Sequence, residues 1–152
     1  MRAKTKDIVM EVLAALFILL FTYTAISKII EHKLFVNALY HSPLLSRFNQ
    51  PISFAIPGIE LITSILLFNP AFRKTGFTVS FILMAIFTCY VAYMILFEPN
   101  LPCSCGGVIA KLTWMQHLIF NILFSLLALL GRSLYKKEQL LFAISRSSRT
   151  PV

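Results

Sequence analysis

Residues 75–97, TGFTVSFILMAIFTCYVAYMILF, contain no charged side chain. As a helix rising about 1.5 Å per residue, this stretch is long enough to cross the ~30 Å hydrocarbon core of a bilayer. Three more apolar runs accompany it, at about 8–27, 52–68 and 112–130. Turn signals separate them: Ser42-Pro43 and Gln50-Pro51, then Asn69-Pro70, then Pro99-Asn100-Leu101-Pro102. Proline is tolerated in a first helical turn, so Pro51 suits the start of the second run. Of the 152 residues, 58% are hydrophobic and only 13% charged, where a soluble domain averages nearer a quarter charged. The fold class that follows is all-α: a polytopic membrane protein built as a four-transmembrane-helix bundle. The bundle occupies residues 1–131, and a basic tail occupies 132–152.

A basic start (Arg2, Lys4, Lys6) ahead of an apolar run also describes a secretory signal. The run is longer than the roughly 7–15 residues of a signal, and no small-x-small cleavage site follows it. The segment is therefore expected to remain as a span.

The formal net charge is +8. Its carriers form short clusters at the ends of the runs, a pattern of membrane orientation and anionic lipid contact, not of nucleic-acid binding. Four spans place both termini on one side of the bilayer. That side carries Arg2, Lys4, Lys6, Arg73, Lys74, Arg132, Lys136, Lys137, Arg146 and Arg149, against Lys28, Lys33, Arg47 and Lys111 on the other. The excess predicts cytoplasmic termini, with loops 28–50 and 98–111 on the periplasmic side of a bacterial inner membrane. The tail mixes Leu140, Leu141, Phe142 and Ile144 with basic residues. It is expected either to lie along the inner membrane surface or to be disordered.

Ionisable groups within spans are costly, at least ~2.5–3.5 kcal/mol for a charge at the bilayer centre, and so invite a functional reading. Glu60 lies near the middle of the second run and is expected to face the bundle interior. It is either a neutral acid bonding a neighbouring helix or part of a proton or quinone site. His117, Asn121 and Ser125 recur at steps of four, a polar stripe on one helix face with Trp114 on the same side. Helix rise puts Asn121 near the depth of Glu60, with His117 about one turn further out. The stripe serves either inter-helix hydrogen bonding or a site in which His117 accepts a thiol proton or donates to a quinone carbonyl. Glu11 is expected to be a solvated carboxylate near the cytoplasmic surface. Lys28 is expected to pair with Glu31 or to snorkel, and Cys89 to be an inert buried thiol.

The remaining cysteines stand in Cys103-Ser104-Cys105-Gly106-Gly107, between the third and fourth runs. A disulfide needs Cα atoms roughly 4.4–6.8 Å apart, which an i, i+2 pair reaches in a turn. The two glycines permit such a turn. A ring that small is strained, and strained exposed disulfides tend to be the labile or catalytic ones. A static staple, a soft-metal site completed by His117, and unpaired thiols without a role remain open alternatives.

Four segments carry a likeness: Ala25-Ile26-Ser27-Lys28, Pro57-Gly58-Ile59-Glu60, Pro102-Cys103-Ser104-Cys105-Gly106-Gly107, and Leu112-Thr113-Trp114-Met115-Gln116-His117. In these the chain resembles the MauE/DoxX superfamily, its methylamine-utilisation MauE branch in particular, over nearly all residues up to about Gly131. Gly106-Gly107 is a variant within that pattern. The resemblance implies a four-helix inner-membrane protein associated with redox maturation of exported proteins. MauE itself is linked to production of the disulfide-rich small subunit of methylamine dehydrogenase. The expected function is a thiol–disulfide redox protein. Its Cys103/Cys105 pair would exchange electrons with a periplasmic thioredoxin-like or client protein, and then with a quinone held near Glu60, His117 and Asn121. Two rivals stand beside it: a non-enzymatic assembly factor that docks a partner, and a small transporter.

Overall fold

The computed structural model describes residues 2–97 and 113–147. Among them are the α-helices α1 (Arg2–Ile30), α2 (His32–Tyr40), α3 (Asn49–Phe68), α4 (Arg73–Phe97) and α5 (Trp114–Ser147), and no strand. Short 3-10 turns at Ser46–Phe48 and Pro70–Phe72 lead into α3 and α4. Four spans, Thr5–Ile30, Ser46–Phe68, Pro70–Phe97 and Trp114–Tyr135, are long and apolar enough to cross a membrane, with mean hydropathies of 1.8 to 2.3. No more than 33% of any span is buried inside the protein. Ile62, Ile65, Ile82, Ile86, Ile119 and Leu126 point outward. An apolar surface this continuous is stable only against lipid.

The four long helices form a ring. α1 packs on α3 and α4 on α5, while α3 with α4 and α1 with α5 close it. At the end that holds the chain termini the interior is filled by rings. Phe17 is fully buried, stacked on Phe21 at 5.9 Å and edge-on to Phe77 and Phe124 at 6.2 and 5.5 Å between centroids. Such aromatic pairs add about 0.5–1.5 kcal/mol each beyond area burial. Arg73 then ties this end together, its guanidinium forked onto the Glu11 carboxylate and its Nε donating to the Leu67 carbonyl at 3.1 Å. Glu11 is exposed, as expected, but carries this partner.

Helix starts follow local chemistry. The Asn69 side chain accepts from the Ala71 amide at 3.0 Å, with Pro70 in the first turn of the 3-10 segment. At α5, Thr113 and Gln116 cap reciprocally. The Thr113 amide donates to Gln116 Oε1 at 3.0 Å, and the Gln116 amide to Thr113 Oγ1 at 3.3 Å. This capping box satisfies two amides that the first turn leaves unpaired.

Three features depart from the sequence reading. The loop 28–50 contains α2, a nine-residue helix whose Phe35 and Leu39 are buried and which leans on α3. The fourth span does not end near Leu130. α5 continues to Ser147, so residues 132–147 are helical, which departs from the disordered alternative for the tail. Tyr135 anchors the extension by donating to the Pro70 carbonyl at 3.0 Å. Gly131, just past the expected end of the fourth run, is a close-packing site that the sequence reading did not foresee: a Cβ there would stand 2.6 Å from the Phe77 ring. Gly131→Ala is therefore expected to destabilise the bundle by about 1–3 kcal/mol, the usual cost of overpacking a filled core. Thermal unfolding in lipid nanodiscs checks this; an unchanged midpoint would show that Phe77 yields freely.

Candidate functional site

The opposite half of the bundle is not filled. Where α1 ends and α3 and α5 begin, the helices surround a cavity of about 370 Å³. This is within the range of small-molecule sites, about 300–1,000 Å³. Aliphatic and aromatic side chains such as Leu20, Ile56, Phe87 and Phe120 form most of its wall, and α2 contributes Phe35, Ala38 and Leu39. Its polar side consists of Thr24, Lys28, Glu60, Tyr90, His117 and Asn121. The three residues that sequence reasoning assigned to a cofactor site, Glu60, His117 and Asn121, thus line one space although they come from two helices far apart in the chain. Trp114, on the same side of α5, also lines it.

Glu60 is not a lone neutral acid. Lys28 Nζ donates to both of its carboxylate oxygens, at 2.8 and 3.1 Å. The glutamate side chain is 1% exposed and the lysine 18%. Lys28 also lies 3.4 Å from the Thr24 carbonyl and 5.9 Å from the centroid of the Phe35 ring, within cation–π range. Lys28 thus joins α1 to α3, a partner beyond the Glu31 pairing and the snorkelling that the sequence reading considered. Sequence reasoning missed it because Lys28 stands at a span end, where snorkelling is sufficient explanation. The available signal was Glu60 itself, since a buried carboxylate calls for a cation within reach.

The two Lys28 bonds pair the lysine and the glutamate of the cavity's polar side with each other. Asn121 is 3% exposed, and its side-chain nitrogen has no hydrogen-bond partner among the described residues. An unpaired buried donor costs about 1–3 kcal/mol, and here it stands in the wall of a cavity. Ser125, the third member of the predicted stripe, turns to its own backbone and donates to the Asn121 carbonyl at 2.8 Å. It does not line the cavity.

The cavity's cover is held by two polar links. Tyr90 of α4 donates to Ser42 Oγ at 3.0 Å, just beyond α2. His32 Nε2 and Ser53 Oγ share a hydrogen bond of 3.2 Å between α2 and α3. Cys89, expected to be buried, is exposed on the outer surface of α4. Cys103 and Cys105, with the rest of 98–112, lie outside the described residues.

Four apolar helices ringed about a partly polar internal cavity define a multi-pass membrane protein. The family model described as methylamine utilisation protein MauE matches residues 6–134. The match takes in all four spans, and the chain belongs to that family, whose description associates it with methylamine utilisation. No curated protein and no solved structure matches the chain.

Proposed function

We propose that this protein is an inner-membrane thiol–disulfide redox protein that assists the maturation of exported proteins. Its termini are cytoplasmic and its Cys103/Cys105 loop periplasmic, a topology supported by the distribution of Lys and Arg. The pair exchanges electrons with a thioredoxin-like or client protein outside the membrane. The observation that carries the reading is the convergence of Glu60, His117 and Asn121 on one cavity, at the start of the helix that follows the two cysteines.

Joining two thiols as a disulfide releases two electrons and two protons. A quinone in the cavity would supply the acceptor for both. The site's own residues fit that group: the walls are apolar, the charge of Lys28 is matched by Glu60, and the Asn121 amide nitrogen lacks an acceptor. His117, half-buried near the outer end of α5 and twelve residues after Cys105 in the sequence, would serve as the imidazole that takes a proton from the thiols. The Lys28–Glu60 pair holds α1 to α3 and keeps the polar side ordered.

Trapping thiols in intact cells with a membrane-impermeant alkylating reagent, in a Cys89→Ala background, tests disulfide formation and sidedness together. A fraction of Cys103/Cys105 should resist alkylation until a reductant is added, and should then react from outside. Thiols that stay reduced and react only after the cytoplasm is opened would overturn both topology and mechanism.

A further inference from the structure

We infer that the cavity binds a neutral, lipid-soluble carbonyl compound whose oxygen accepts a hydrogen bond from the Asn121 side-chain nitrogen. Three observations select this chemistry. The Asn121 donor is buried and without a partner, so the site is incomplete without an acceptor. Among the described residues of the wall, Lys28 and Glu60 bond each other, so neither is free as a counter-charge for an ionic occupant, which would also have to shed its hydration. The remaining wall is largely apolar, with Thr24, Tyr90 and His117 its other polar members, and the protein is surrounded by lipid, from which such a molecule would enter.

Two sources offer this carbonyl: the ring of an isoprenoid quinone and the ester of a phospholipid. Only the first rests on the electron-acceptor reading proposed above; the second needs no redox chemistry.

The protein carries its own reporter. Trp114 is the single tryptophan of the chain and lines the cavity, so occupancy should change its fluorescence. The full chain in detergent micelles is titrated with decylubiquinone and, separately, with dihexanoyl phosphatidylcholine. Asn121→Leu removes the donor while keeping the branched four-atom side-chain skeleton, and Asn121→Asp replaces it with an acceptor; circular dichroism confirms that each remains helical. With one of the probes, the wild type should show a saturable change whose midpoint moves about tenfold or more to higher concentration in both variants. A shift with decylubiquinone alone identifies a quinone site, and a shift with the phospholipid alone identifies a lipid-ester site. Ligand-induced thermal stabilisation should weaken in parallel, although Asn121→Leu without ligand should be at least as stable as wild type, because its orphaned donor is gone. A purely structural asparagine would behave in the opposite way. Titrations that coincide for wild type and both variants with both probes would overturn the inference.

The double variant Cys103→Ser/Cys105→Ser separates this result from the thiol reading. It should bind the same probe with unchanged midpoint. If that variant matures exported proteins normally, the redox proposal fails while the carbonyl site stands. Loss of Asn121 dependence with cysteine dependence intact does the reverse.

Discussion

Lys28→Met is expected to lower the stability of the bundle by about 3–5 kcal/mol, the usual consequence of deleting one partner of a buried ion pair. The magnitude follows from Glu60, which is 1% exposed and accepts from Lys28 through both oxygens. Without the ammonium, that carboxylate must either remain charged among apolar walls or take up a proton. Glu60→Gln should cost less than Lys28→Met, since an amide can still accept from the ammonium and Lys28 can extend toward the membrane surface. The double variant Lys28→Met/Glu60→Leu should regain most of the loss, because two packed apolar side chains replace two desolvated charges. Unfolding of all four proteins in nanodiscs closes the double-mutant cycle. Single variants within roughly 0.5 kcal/mol of wild type, the range of ordinary surface changes, would show that the pair does not hold the helices together. Lys28→Met should also loosen α2, whose Phe35 ring packs beneath the ammonium, and so expose Trp114 to water.

The two halves of the bundle are built for different tasks. Phe17, Phe21, Phe77 and Phe124 interlock at the terminal end, where Gly76 and Gly131 let Leu67 and Phe77 approach a neighbouring backbone. No comparable aromatic cluster fills the other end among the described residues. There α1 stops at Ile30 and the shorter α2 takes its place beside α3. Ending one of four helices early while its neighbours continue leaves room for a cavity beneath α2. The polar residues of the site are drawn from that level of α1, α3, α4 and α5.

How much of this was legible in the sequence depends on the range of the forces involved. The four spans were readable because a bilayer imposes a length of about 20 apolar residues on each helix. The meeting of Glu60 with His117 and Asn121 was also readable, since helical period fixes the face and rise fixes the depth. The Lys28–Glu60 bond was not, because it depends on how far α1 slides along α3, a packing outcome with no local signature. The helix α2 was hidden for a related reason. At nine residues it is shorter than an isolated helix that is stable in water, and burial of Phe35 and Leu39 stabilises it. The role of Gly131 was equally illegible, since nothing local shows that the Phe77 ring of another helix packs against it. Cys89 was assigned to the interior by the apolarity of its neighbours, but in lipid apolar neighbours do not distinguish inside from outside.

The largest functional change is expected from the cysteines, and it is qualitative. A remaining thiolate in a single-serine variant can attack the disulfide of an oxidised thioredoxin-like partner, breaking that bond, forming a mixed disulfide and releasing the partner's second thiolate. In the wild type the same mixed disulfide forms when a partner thiolate attacks Cys103–Cys105, and attack by the partner's second thiolate then releases the partner oxidised and the pair reduced, for the quinone to reoxidise. With serine at one position, no neighbouring cysteine is present to displace the trapped partner. Either Cys103→Ser or Cys105→Ser should therefore accumulate a reductant-sensitive covalent adduct on non-reducing gels of intact cells, where wild type shows little. The variant that accumulates it identifies the outer, attacking cysteine as the one retained. The double variant should show none, while Cys89→Ala should behave as wild type because Cys89 is on the outer surface of α4. Unchanged maturation of exported disulfide-bonded proteins in the double variant, with no adduct in either single one, would leave the loop a docking element and make the protein an assembly factor. An adduct that persists in the double variant would instead place the reactive thiol at Cys89.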